Sequence, residues 1–245
     1  MGRPGRYLIG TIVLAIGIAL AGFLAGNGLA RARASDRFVT VKGVSEREAS
    51  ANLAIWPLRV VGADDDLAAA NSQLQTSVAK IRSFLARHQI DTSRIQLQDF
   101  SVTDALANPY AQRGQIGTRY IINQTIVVRS THPELVLAAS QRIAELVSDG
   151  VVFSSGAEYG SRGPTFVFTG LSEIKPEMIA EATARAREAA EQFARDSRSE
   201  LGGIRRADQG VFVILPRDQA AGITEESQIV KTVRVVSTIE YFLRD

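Results

Sequence analysis

The chain has 245 residues, 45% of them hydrophobic and 22% charged, with a formal net charge of +2. That suffices for an anchor and a proper core, while the absence of cysteine excludes disulfides, thiol nucleophiles and thiolate metal centres. Arg3, Arg6, Arg31 and Arg33 lie in residues 1–34, which hold no acid; without these four, the 28 basic residues become 24 against 26 acidic ones, a weakly acidic remainder without the concentrated positive field that nucleic acid binding needs.

From Tyr7 to Ala30 the chain is uncharged and almost wholly apolar, with Thr11 and Asn27 its clear polar residues. A bilayer core takes about 20 such residues, so the pattern predicts one transmembrane helix over residues 7–30. Arg3 and Arg6 before it and Ala32-Arg33-Ala34 after it also fit a cleavable signal segment, but the run exceeds the usual signal core and arginines interrupt the cleavage pattern, which favours a retained anchor. Basic residues on the two flanks nearly balance and do not set the orientation. Gly22 and Gly26 form a small-xxx-small pair suited to helix–helix packing within the membrane.

Phe38 to Lys42 alternates like a strand, and Gly43 offers a turn into a longer extended run from Ala49 to Val61. Pro57 in that run lacks a ladder donor and predicts an edge position or a bulge. Asp64, Asp65 and Asp66 precede a helical stripe of Leu67, Leu74, Val78, Ile81 and Leu85, which makes them capping and first-turn charges; no histidine or fourth spaced carboxylate completes a calcium-type loop. A turn at 90–93 leads into a strand over 94–102 with apolar positions at 95, 97, 100 and 102 and an irregularity at Asp99-Phe100. The long polar loop 104–118 then connects to a strand over 119–128, giving a long-armed hairpin.

His132-Pro133-Glu134 opens a second helix, which Asp149-Gly150 closes before a strand beginning at Val151. From Leu53 to Tyr159 the order is strand, helix, strand, strand, helix, strand, the order of a ferredoxin-like βαββαβ unit. The remainder reads as a strand at 163–169, a helix at 175–201 with a stripe of Ile179, Ala182, Ala186, Ala190, Phe193 and Leu201, and strands at 210–214 and 230–242. Glu181 to Arg185 and Glu191 to Arg195 are spaced as i,i+4 pairs, and Gly202-Gly203 is the expected helix stop. The predicted class is α+β: antiparallel sheets with helices on one face, a ferredoxin-like βαββαβ core and a β-α-β-β second half, preceded by one transmembrane helix. The soluble domain is 35–245, with sub-units 38–160 and 163–245.

His88, near a helix end, and His132, before Pro133, have no acid or nucleophile paired with them in sequence and read as surface or capping residues. The sequence contains no nucleophile elbow, phosphate loop, zinc-protease pair or dinucleotide fingerprint, and no cofactor or metal is predicted. Trp56 reads as a packing anchor. Candidate contact residues are Tyr110 and Arg113 on the first long loop and Pro216 and Arg217 on the second, which spans 214–228.

Val39-Thr40-Val41-Lys42-Gly43, Asp99-Phe100-Ser101-Val102 before the Tyr110 loop, the helix Glu181 to Ala190 with Leu201-Gly202 following it, and the closing strand Val233 to Phe242 together resemble the SIMPL-domain family of bacterial envelope proteins over about 38–243. Ser45 and Ala51-Asn52 stand where the family usually has a glycine and a Pro-Asp. The resemblance implies an inner-membrane anchor with a periplasmic domain, or secretion to the periplasm after signal cleavage. It also implies homo-oligomeric rings or channels and a link to envelope or oxidative stress, and it brings no catalytic residues. The leading expectation is therefore a non-enzymatic, self-assembling envelope scaffold with contacts through exposed strand edges or the loops. A binding module for a small molecule or client protein is the second reading, and an unrecognised hydrolase built on a carboxylate or Ser/His pair is the third.

Overall fold

The computed structural model describes residues 14–26, 37–107, 117–154 and 163–244. The protein is α+β with antiparallel sheets. Residues 14–26 form helix α1, with Leu14, Ile16, Ile18, Leu20, Phe23 and Leu24 all exposed. The rest of the predicted span, 7–13 and 27–30, lies outside the described residues, and among the described residues no helix is long and apolar enough to cross a membrane.

Two compact units emerge, and they are not the sequential halves 38–160 and 163–245. The first holds residues up to Ser45, Pro176–Phe212 and Val235–Asp245; the second holds Glu46–Lys175 and Val213–Arg234.

In the second unit, strands β2 (Leu53–Asp64), β3 (Gln96–Asp104), β4 (Tyr120–Ser130) and β5 (Thr165–Val167) form one sheet in the order β3-β4-β2-β5, every neighbouring pair antiparallel. Helix α2 (Leu67–Arg87) covers β2 and β4 with Ala70, Leu74, Val78, Ile81, Phe84 and Leu85, all buried. The core joins these to Trp56, Leu58 and Val60 of β2 and Ile122, Ile126 and Val128 of β4, the alternate residues that a pleated strand turns to one side. Leu67, expected in this stripe, is 45% exposed because it stands at the first turn, beyond the sheet's cover.

Only Asp66 of the three aspartates caps α2, its carboxylate accepting from the Ala68 and Ala69 amides at 2.7 and 3.3 Å. Asp64 accepts from the Asp66 amide and the Gln73 side chain, and Asp65 from the Arg119 amide, so neither is the first-turn charge that the sequence suggested. Pro57 pairs with Val127 without a register shift, which removes the bulge reading. Its missing donor faces the flank where β5 has ended after Ile55; bonding there resumes only at Arg59 and Val61, with Ser154 and Val152. The proline therefore sits in a local edge.

The second helix is broken into α3 (Pro133–Ser140) and α4 (Ala144–Ser148), ended by Gly150 at φ +83°. Of the strand expected from Val151, residues 155–159 lie outside the described residues; the described part contributes a single bridge, Val60 to Phe153, and the sheet's fourth strand is β5, which the sequence assigned to the second half. The unit also contains β7 (Val213–Pro216), paired with the start of β8 (Val230–Arg244).

In the first unit, β1 (Phe38–Ser50, here to Ser45), the later part of β8 and β6 (Glu200–Gln209) are ordered β1-β8-β6, with helix α5 (Leu171–Asp196, here from Pro176) packed on the sheet. Gly43 makes no turn: β1 runs straight through it, and glycine stands there because a Cβ would collide with the Ala182 carbonyl oxygen. Glycine at this point lets strand and helix backbones touch. Ser45 is buried beside it and donates to Glu181 at 2.8 Å, while Arg185 bonds both Glu181 and the Val44 carbonyl oxygen.

Helix α5 stops at Asp196, not at Gly202-Gly203; Arg198 takes the left-handed turn at φ +55°, and the two glycines lie inside β6, a strand the sequence did not reveal. A Cβ at Gly202 would press on Phe242 at 3.0 Å, a tight contact that glycine avoids. The buried stripe is Met178, Ala182, Ala186, Ala190 and Ala194, with Phe193 turned out, and Glu191 pairs back to Arg187 instead of forward to Arg195. The extended run expected at 210–214 is displaced to β7.

Candidate interaction surface

Four of the terminal strands, β1, β5, β6 and the four-residue β7 that ends in Pro216, are protected in ways that follow from their residues. β1 carries Lys42, Glu46, Arg47 and Glu48, β6 carries Glu200, Arg205, Arg206 and Asp208, and both thus present charges of the kind that discourage strand addition. β5 spans only Thr165–Val167 and lies against the 3-10 turn Glu225–Ser227.

β3 is different. Its nine residues, Gln96–Asp104, include no lysine, arginine or proline, and Leu97, Phe100 and Val102 are 45%, 57% and 47% exposed. Leu97 pairs with Ile126 and Val102 with Ile122, so both point to the side of the sheet that α2 covers further in. The helix layer lies over β2 and β4, and the apolar surface continues past it onto β3. Of the apolar positions 95, 97, 100 and 102 that marked this strand in the sequence, Ile95 packs against the core.

One extra residue interrupts the β3 ladder between Gln98 and Ser101, with Asp99 at φ +52°, as the irregularity at Asp99-Phe100 predicted. Such a bulge re-aims the side chain beside it, here Phe100. The far end of β3 is fixed by Asp104, whose carboxylate accepts from the Arg119 guanidinium at 3.2 Å. That hydrogen bond is the main reason the Asp104 carboxyl is held below the usual range, and it raises Arg119 in turn.

Of the residues singled out in the sequence, Tyr110 and Arg113 lie outside the described residues. Pro216 ends β7 opposite Lys231, and Arg217 is paired with its neighbour Asp218 at 3.2 Å, a bond that raises the Arg217 pKa. Gly22 and Gly26 have open space around their α-carbons on α1. Trp56 is buried at 2% exposure, in the anchoring place expected of it. His88 caps α2, stacks edge-on against Phe84 at 4.5 Å and lies 3.8 Å from Glu145; His132 stands before α3, 3.3 Å from Glu134. Among the described residues no group of three or more His, Cys, Asp or Glu side chains could hold a metal ion.

The sequence reading missed Lys231, whose side chain is completely buried in the second unit. Its ammonium donates to the Glu225 carboxylate at 2.6 Å and to the Glu225 carbonyl oxygen. The signal was available: Lys231, Val233 and Val235 alternate inward along β8, and a cation in such a series needs an anion. With Gln228 bonded to Asp218 at both amide and carbonyl, the pair fastens the second long loop onto its own unit.

These features define an antiparallel α+β protein in which, among the described residues, β3 forms an exposed apolar sheet edge without lysine, arginine or proline. A family model described as "SIMPL: Protein of unknown function (DUF541)" matches residues 39–238, and the chain belongs to that family. No curated protein matches the sequence.

Proposed function

We propose that the protein is a non-enzymatic, membrane-anchored scaffold of the bacterial envelope that assembles with copies of itself through the β3 edge. The single observation that carries this is the exposed Leu97-Phe100-Val102 surface on a terminal strand free of lysine and arginine. Main-chain donors and acceptors along such an edge gain partners when another strand adds, and apolar side chains leave water in the same step. In the second unit, the strand order β3-β4-β2-β5 supports reading the sheet as a ferredoxin-like split βαβ, a topology that leaves β3 at the rim.

The anchor is residues 7–30. Helix α1 supports it, since Leu14, Ile16, Ile18, Leu20, Phe23 and Leu24 are apolar on every side and exposed, a surface stable only in lipid or against a partner. With the anchor in the inner membrane the domain is periplasmic, and a role in envelope or oxidative stress is the physiological setting we assign.

The mass of the full chain extracted in mild detergent tests the assembly. A discrete oligomer that falls to monomer in the Phe100→Asp variant, with unchanged circular dichroism, is the expected result. A monomeric parent, or an oligomer indifferent to charges at both Phe100 and Val102, removes the proposal.

A further inference from the structure

A second feature of the second unit points to a ligand instead of a copy of the chain. β4 runs three residues beyond the point where β3 begins, since Gln96 pairs with Val127 and β4 continues to Ser130. The 3-10 turn Thr92–Arg94 bends beside that overhang and leaves a groove of about 420 Å³. Leu53 and Ile95 supply its apolar lining, and Arg94, Gln96, Arg129 and Thr131 its polar groups.

The charged side chains of the lining are both arginines, beside the hydroxyls of Ser93, Ser130 and Thr131. Arg129 is a strand residue with no ion pair among the described residues, and Arg94 has only a long contact with Asp91, 3.7 Å. Gln96 has its carbonyl oxygen engaged by Gln98 at 3.1 Å, so its amide N–H groups remain to donate. No carboxylate lines the groove. In a part of the chain whose acidic residues outnumber its basic ones, two arginines lining one concavity, with only the 3.7 Å contact of Arg94 to Asp91 as counter-charge, stand apart from the background.

From this juxtaposition we infer that the groove is a binding site for a small soluble oxyanion, a phosphate or carboxylate group held by Arg94 and Arg129 with Gln96 and Thr131 as neutral donors. Planar guanidinium forks match such groups with paired charge-assisted hydrogen bonds. The apolar lining adds room for a short hydrocarbon part of the ligand. The inference does not depend on assembly through β3.

Inorganic phosphate and acetate are titrated into the full chain in neutral detergent, followed by calorimetry and by the arginine side-chain N–H resonances. Saturable binding is expected, with shifts confined to Arg94 and Arg129, weakening with added salt. Arg129→Gln should reduce affinity roughly tenfold or more, and so should Arg94→Gln, while Arg82→Gln on the exposed face of α2 leaves it unchanged. All three are surface changes that spare the fold. Preference for phosphate or for acetate then identifies the ligand group. Non-saturating shifts, equal loss with Arg82→Gln, or Arg129-dependent binding to phosphatidylglycerol vesicles without binding of either free anion would overturn the inference.

Discussion

Replacing Glu225 by alanine strips the buried Lys231 ammonium of its carboxylate. Lys231 is 0% exposed and Glu225 35%, with 2.6 Å between Nζ and Oε2. Removing one partner of a fully buried pair costs about 3–5 kcal/mol, because the other charge is left without compensation. Since a third of Glu225 is open to water, and the carbonyl oxygen of residue 225 still accepts from Nζ, the loss should be about 2–3 kcal/mol.

Lys231→Met removes the charge while keeping a similar unbranched stem, and should cost less, under about 1.5 kcal/mol. The double variant should then be no less stable than Lys231→Met alone, because Glu225 has no buried cation left to serve. Urea unfolding of the full chain, followed through the fluorescence of Trp56, reports on the right unit: it is the only tryptophan and is buried in the same unit as Lys231. Strictly additive losses, or a Glu225→Ala loss smaller than that of Lys231→Met, would refute the argument that the lysine's burial depends on this anion.

Gly43→Ala should destabilise the first unit by at least about 1–3 kcal/mol, the usual cost of overpacking, because the new Cβ would collide with three backbone atoms, the Ala182 oxygen and carbon and the Ala186 nitrogen. Thermal melting by circular dichroism measures it. Asp66→Ala should cost about 1 kcal/mol through the lost cap of α2, and Asp66→Asn much less, both read from urea midpoints. The Asp104 carboxyl is depressed, first by its hydrogen bond from Arg119, so its contribution is present above the unfolded carboxylate pKa and lost as pH falls through the folded one. Carboxyl-carbon shifts followed against pH should give an Asp104 midpoint below the ordinary range that moves upward in Arg119→Gln.

Much of this architecture is written in local pattern. The α2 stripe, the cap at Asp66, the hairpin of β3 and β4 with its bulge, and the glycine that ends α4 each depend on neighbours a few residues away, and periodicity or turn chemistry exposes such signals directly. The family relation rests on the same short patterns, and the match over residues 39–238 agrees with it.

What the tertiary structure alone decided depends on partners distant in the chain. Gly43 looks like a turn until Ala182 is placed against it, and Gly202 looks like a helix stop until Phe242 is its neighbour. Leu97 and Val102 have the alternation of core residues, and only the reach of α2 across the sheet leaves them in the open. Lys231 and Glu225 are close in sequence, yet burial of the lysine is a property of the layer packed around it. Arg94 and Arg129 are ordinary charges in two separate segments until the overhang of β4 past β3 brings them to one groove. Sequence fixes the period of an element and hence its face; whether anything covers that face is set by the lengths and registers of the elements beside it.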